Sequence, residues 1–170
     1  MMGDVVRNDT AALEQSFMEC ERIANESSSS FLRAFRTLPK EKRDGITALY
    51  AFCRRADDVA DGDWMPDFSS FSPQQIGSLR LRALQRSKLL DEKHHSRGTL
   101  DHDAHIARLC ALIYLRDNIQ PIENDSFPKE KFFLALWHTI ERFDIPSQHL
   151  HSLIDGMEDD LYPKIGRAHV

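Results

Sequence analysis

Tyr50-Ala51-Phe52-Cys53-Arg54-Arg55-Ala56-Asp57-Asp58-Val59-Ala60-Asp61-Gly62 is the stretch on which the fold reading turns. It has none of the period-two alternation that a half-buried strand requires. Wound as an α-helix at 100° per residue, it separates into two sides. With Tyr50 at zero, Arg54 falls at about 40°, Asp57 at about −20°, Asp61 at about 20° and Asp58 at about 80°. Ala48, Phe52 and Val59 fall on the opposite side and form an ordinary packing face. One narrow stripe of a mainly apolar helix thus carries a phenol, a guanidinium and two carboxylates, as the wall of a polar pocket would. Gly62 follows where a left-handed cap closes a helix.

The charges on that stripe matter more than its geometry. Asp57, Asp58 and Asp61 crowd the last turn, where the helix already presents its partial negative end. Each carboxylate there is disfavoured by roughly 0.3–1 kcal/mol, and repulsion adds about 1 kcal/mol per close pair even in water. Arg54 and Arg55 offset part of this, but the crowding still asks for a cation. Carboxylate oxygens with room for water suit Mg²⁺, which binds through one or two carboxylates plus substrate phosphates. Arg54 would then contact the oxygens of a diphosphate. The plainer reading is a solvated acidic helix end; the Tyr and Arg on the same stripe argue against it.

Outward from this helix the pattern stays helical. Leu13, Phe17, Cys20 and Ala24 recur at helical spacing over Ala11–Ala24, and Ser27–Ser30 breaks that helix and caps a short one over Phe31–Thr37. Pro39 suits the first turn of the long helix that ends at Asp61. Trp64–Phe71 reads as a loop. Ser72-Pro73-Gln74-Gln75 is a capping signature for a helix with Ile76, Leu79, Ala83 and Leu84 on one face. Asp91–Gly98 reads as an exposed turn, and Asp101 as the cap of a helix facing inward through Ile106, Leu109, Cys110 and Ile113. Pro128 and Pro146 each mark a further helix start, the last helix carrying Leu150, Leu153, Ile154 and Met157. No internal repeat is present, and the expected class is all-α.

Composition narrows the function. A net charge of −5 and a pI of about 5.9 leave no broad footprint for nucleic acid. No apolar run reaches the length of a membrane span, and Met1–Thr10 has no signal-peptide core. The odd count of three cysteines, without ligand spacing, reads as reduced, packed thiols in a cytoplasmic protein.

Ser30-Phe31-Leu32-Arg33-Ala34-Phe35-Arg36-Thr37-Leu38-Pro39, then Lys42-Arg43, then Ala48–Arg54 and the DDxxD of Asp57–Asp61 together resemble the N-terminal signature of the squalene and phytoene synthase family. Leu153-Ile154-Asp155-Gly156-Met157 to Asp160-Leu161 resembles the stretch before that family's second half. The resemblance covers roughly residues 17–62 and 150–161. It implies an isoprenoid-synthase-type helical bundle around a central cavity, with two aspartate-rich motifs facing each other across its mouth. Mg²⁺ held by them binds the diphosphates of two prenyl substrates; one ionises to an allylic cation that the other attacks, forming a cyclopropyl intermediate. By this resemblance Asp57 and Asp61 are metal ligands supported by Asp58. Arg54 and Tyr50 contact the diphosphate, and Phe31 and Phe35 line the prenyl cavity.

Ser27 stands where some members carry a His, so no role is assigned there. The second aspartate motif is expected beyond Leu161. Ile165–Val170, IGRAHV, matches one reading frame of a common short-read sequencing adapter. The expectation is therefore residues 1–164 as the N-terminal portion of one synthase domain, a non-native tail over 165–170, and a fragment inactive by itself. The substrate is expected to be farnesyl diphosphate, with geranylgeranyl diphosphate next. NADPH would be needed only for a squalene-type product. The rival is a non-catalytic helical assembly protein on the same fold, although such relatives lose the aspartates that are kept here. Chain-elongating prenyltransferases share DDxxD but match the flanking segments less well.

Other candidates carry blander readings. His94, His95, His102 and His105 are dense, yet they lack a Cys or Glu at ligand spacing. Phe132–Leu136 reads as core. Arg80, Arg82, Arg86 and Lys88 read as a solvated face, with peripheral contact to an anionic membrane as the alternative.

Overall fold

Asp9 Oδ1 accepts from the amides of Ala11 and Ala12 at 3.0 and 3.3 Å and so opens the first helix of a chain that the computed structural model shows to be helical. Residues 9–27, 29–122 and 127–164 are described, apart from the side chains of Ser29 and Phe31; the tail 165–170 lies outside them. The helices are α1 (Thr10–Ser27), α2 (Ser29–Ala34), α3 (Lys40–Asp61), α4 (Pro73–His94), α5 (His102–Asp117), α6 (Phe132–Arg142) and α7 (Gln148–Asp159). No strand occurs among the described residues, and no helix among them is long and apolar enough to cross a membrane. The chain groups into two compact units, residues 1–55 with 117–150 and residues 56–116 with 151–170.

In the first unit the inward face of α1 keeps the expected Cys20 and Ala24 but is rotated so that Ser16 and Ile23 replace Leu13 and Phe17. Ser16, Cys20, Ile23 and Ala24 are buried, while Leu13 and Phe17 are half-buried. A polar partner explains the rotation. Lys131, at the start of α6, offers no side-chain cap, and the Ser16 hydroxyl takes that part. It accepts from the Ala135 amide at 2.7 Å and donates to the Lys131 carbonyl at 2.5 Å. Helix α6 begins four residues after Pro128, later than the proline suggests, and Phe132–Leu136 are buried as expected. Burial pushes the Cys20 thiol up to about 12 and raises Cys53 and Cys110, all three free thiols.

Helices α3 and α6 approach closely at Gly45. A Cβ there would lie 2.9 Å from Phe143 Cε2 and 3.2 Å from Thr139 Cγ2. A Gly inside a helix costs about 1 kcal/mol against Ala, so the contact explains its presence. Gly45→Val is expected to destabilise the protein by about 1–3 kcal/mol. Chemical denaturation measures this, and an unchanged midpoint would refute the close-packing account.

In the second unit the loop after α3 is held by Phe68, Phe71 and Tyr114, whose rings meet edge-on with centroids 5.1–5.9 Å apart. Helix α4 opens with the expected capping box: Ser72 Oγ accepts from the Gln75 amide at 3.1 Å, and Gln75 Oε1 accepts from the Ser72 amide at 2.8 Å. Its buried face is Leu79, Ala83, Ser87 and Leu90; Ile76 is exposed, because the first turn projects beyond the core. The helix runs on to His94 and ends at His95 in the left-handed region (φ 51°), so Asp91–His94 is helical rather than a free turn. Asp101 Oδ1 caps α5 through the Ala104 amide at 3.0 Å. Along α5, Ile106, Leu109 and Ile113 are buried, and Ala111, Leu112, Tyr114 and Leu115 as well.

Arg86 is not part of a purely solvated face. It reaches Glu158 at 2.8 and 2.9 Å, and Arg116 reaches the same carboxylate at 2.9 Å and Asp155 at 2.5 Å. Glu158 is only 1% exposed.

Tyr162 fixes the end of the described chain. Its hydroxyl donates to Asp91 Oδ1 at 2.6 Å, its ring stacks on His94 with centroids 4.4 Å apart, and His105 meets it edge-on at 5.4 Å. Burial, then the Asp91 carboxylate, hold the phenol above its ordinary value. His94 Nε2 lies 2.8 Å from Asp159 Oδ1 and Lys93 Nζ 2.9 Å from it. His105 is buried, and burial lowers its pKa against the opposing charge of Asp91. Burial raises that of Asp159, but hydrogen bonds from Lys93 and His94 outweigh it and leave the net value low.

Both shifts act in the same direction with pH. The unfolded chain takes up a proton at His105 near its ordinary pKa of about 6.5 while the folded chain resists, so stability falls as pH drops below that value. The contribution of Asp159 is present above its unfolded pKa and is lost only in more acid solution, as pH falls through the folded value. The thermal midpoint is therefore expected to fall from pH 7.5 to 5.5, and less steeply in His105→Gln. Parallel pH profiles for the two proteins would remove His105 from this account.

Candidate active site

Helix α3 forms because its interior positions are good helix formers with one apolar side. Ala48, Ala51, Phe52, Ala56 and Val59 are all 0% exposed. The packing face expected from spacing is therefore the buried one. Tyr50, Arg54 and Asp57 are half-buried along the other side, and Asp61 is exposed. The helix is continuous from Lys40 to Asp61, so its register keeps Tyr50, Arg54, Asp57 and Asp61 on one stripe. Asp58 departs from them: it is 6% exposed, at the edge of the packing side.

The end of this helix is built with care for its backbone. Gly62 adopts φ 81°, the left-handed conformation that any other side chain would strain. The Asp63 amide donates to the Asp58 carbonyl at 2.8 Å and the Gly62 amide to Val59 at 3.2 Å, which together make a Schellman ending. The Trp64 amide also approaches the Asp58 carbonyl, at 3.4 Å. The next carbonyl, Ala60, accepts from Arg108 Nη1 of α5 at 2.6 Å. Sequence reasoning missed Arg108. The only signal for it was indirect: the last turn of α3 carries three acids and no basic residue, so a compensating cation had to come from elsewhere in the fold.

The two remaining site residues belong to α2 and to the turn that follows it. Phe35 is half-buried in the turn after α2, within the same unit as Tyr50 and Arg54. The short helix ends at Ala34, earlier than the expected Thr37, because Phe35, Arg36 and Leu38 make only turn hydrogen bonds. The Phe31 side chain lies outside the described residues. A cleft of about 700 Å³ in the first unit is walled by Phe17, Met18, Leu32, Arg33, Arg36 and Arg43 and borders α3 at Thr47, three residues before Tyr50.

Among the described residues no three His, Cys, Asp or Glu side chains gather closely enough to hold a metal ion alone. The donor set of α3 nonetheless fits Mg²⁺ as one wall of a site. Asp57 and Asp61 sit one turn apart, reachable from solvent, and hard oxygen ligands of this kind leave most of the octahedral shell to water and phosphate. The histidine cluster is engaged differently: His94 pairs with Asp159, and His105 packs on Tyr162.

The chain is 42% identical over 55 residues to phytoene synthases of Mycobacterium bovis and Mycobacterium tuberculosis. It is 41% identical over 51 residues to the 4,4'-diapophytoene synthase of Staphylococcus haemolyticus. The matches cover 32%, 32% and 30% of this chain and only 18% of the length of each relative. No solved structure matches the chain significantly. The family model for squalene/phytoene synthase matches residues 24–167, a span that takes in the polar stripe, the Schellman ending and Tyr162, and the chain accordingly belongs to the squalene/phytoene synthase family.

Proposed function

We propose that this chain supplies the first diphosphate-binding wall of a prenyltransferase that joins two isoprenyl diphosphates head-to-head with release of pyrophosphate. The observation that carries this reading is the register of α3, which sets Tyr50, Arg54, Asp57 and Asp61 on one polar stripe of a helix otherwise packed through alanines and Phe52. Family membership and the phytoene-type relatives support it.

Each residue has a task that its chemistry suits. Asp57 and Asp61 are the carboxylates that would hold Mg²⁺, with Asp58 beside them. Bound Mg²⁺ supplies Lewis-acid stabilisation of the departing diphosphate. Arg54 presents a fixed fork of donors to the diphosphate oxygens, and the Tyr50 hydroxyl adds a further donor. Phe31 and Phe35 provide aromatic faces, whose negative quadrupole suits an allylic cation. A second aspartate-rich segment, elsewhere in the whole protein, completes the metal shell. The substrates are amphiphiles, so the enzyme works in the cytoplasm at the edge of a membrane, held peripherally.

The test is pyrophosphate release by the full-length protein from farnesyl and from geranylgeranyl diphosphate, each with Mg²⁺ or EDTA and with or without NADPH. Mg²⁺-dependent release from farnesyl diphosphate is the expected result. A squalene-type product appears only with NADPH as hydride donor, and phytoene only from the longer substrate. No turnover of either substrate by a folded, full-length protein would favour the assembly-protein reading.

A further inference from the structure

We propose that Arg108 is a positioning residue for the aspartate-bearing end of α3, fixing the backbone on both sides of Asp61 so that the carboxylates meet a divalent cation in a set geometry. This rests on the reading of α3 as a diphosphate-binding wall. The case begins from the carbonyls that a helix end leaves without partners. On α3 the Asp58 and Val59 carbonyls are taken by the amides of Asp63 and Gly62. The Ala60 carbonyl is taken by Arg108 Nη1 at 2.6 Å. A Cβ placed on Gly62 would lie 2.5 Å from Arg108 Nη2 and 3.1 Å from its Cζ. The guanidinium therefore lies close along the chain at residues 60–62, with Nη1 bonded to the Ala60 carbonyl and Nη2 filling the space beside Gly62, on either side of Asp61.

Glycine at position 62 thus answers two requirements, the positive φ and the approach of the guanidinium. The anchor of Arg108 is firm. It sits on α5 between Ile106 and Leu109, both 0% exposed, with Leu112 a turn later at 0%. It also brings a cation to a helix C-terminus that has three acids and no base in its last turn, where a positive charge is favoured by the macrodipole.

Two roles give opposite signs when the guanidinium is removed. If Arg108 were only a counter-charge, losing it would strengthen the pull of the aspartates on a divalent cation. If it positions the turn, losing it lets the turn drift and weakens binding. Residues that orient metal ligands from behind typically change metal affinity by about 10–100-fold when mutated.

The experiment compares the parent with Arg108→Gln and Arg108→Lys, using Mn²⁺ as the probe by electron paramagnetic resonance, alone and with inorganic pyrophosphate. Amide exchange at Gly62, Asp63 and Trp64 is followed in the metal-free proteins. The expected result is exchange about tenfold faster in Arg108→Gln, Mn²⁺ affinity about tenfold weaker, and Arg108→Lys in between. Mn²⁺ affinity unchanged or tighter in Arg108→Gln overturns the proposal, as does unchanged amide exchange. Should Arg108→Gln lose its helical circular dichroism, Arg108→Lys decides by the same criteria. A parent that binds no Mn²⁺ while its Gly62–Trp64 amides exchange slowly marks the failure of the metal reading, and the proposal falls with it.

Discussion

An Asp57→Asn, Asp61→Asn variant of the full-length enzyme is expected to release pyrophosphate at least about a thousandfold more slowly than its parent, a loss of about 4 kcal/mol in transition-state stabilisation. Asparagine keeps the size and polarity of each side chain and removes only the charge. The loss should fall on kcat and on the Mg²⁺ concentration needed for half-activation, since both report the same ligands. Stability moves the other way at Asp61. It is exposed at the negative end of α3, so Asp61→Asn alone should raise metal-free stability by roughly 0.3–1 kcal/mol. A slower but equally or more stable protein is the signature of residues kept for chemistry at a cost to the fold. Activity within tenfold of the parent would end the metal-ligand reading of this stripe.

The largest effect on stability is expected in the second unit, from the double substitution Arg86→Met, Arg116→Met. Glu158 is 1% exposed, and its carboxylate is met by both guanidiniums. Removing both leaves a buried carboxylate without its partners, which typically costs about 3–5 kcal/mol. In a chain of this size that corresponds to a fall of roughly 10 °C in Tm. Adding Glu158→Leu to the double variant removes the stranded charge and should restore much of the loss, since well-packed apolar replacements of buried ion groups are often tolerated. A triple variant no more stable than the double one would show that the arginines act through packing and not through charge.

The helices were legible where signals are local. The capping box at Ser72–Gln75 and the Asp101 cap depend on neighbours in sequence and appear as read. So does the packing face of α3, where Ala48, Phe52 and Val59 are fully buried. Boundaries and faces moved where a distant segment intervened. The inward face of α1 is set by the Ser16 contact with α6, and α4 runs on to His94, where Asp91 and His94 meet Tyr162. The polar stripe was legible because one helix carries it whole. Arg108 was not, because its partner at Ala60 is 48 residues away and is a backbone carbonyl, which leaves no mark on side-chain pattern. The burial of Asp58 was hidden for a similar reason: a helical wheel gives direction, and only the neighbours decide what lies in that direction.

The two tryptophans fall one to each unit. Trp137 is buried, its indole nitrogen donating to the Asn118 carbonyl at 2.8 Å, while Trp64 lies two residues beyond Gly62 with its amide directed at the Asp58 carbonyl. Each unit therefore carries its own intrinsic fluorophore. With Trp137 replaced by Phe, emission from the chain reports on the aspartate turn alone, and quenching by Mn²⁺ reads metal arrival there without any added label. With Trp64 replaced instead, the same lamp follows the melting of the first unit, so a single spectrometer separates events that heat capacity or circular dichroism would sum.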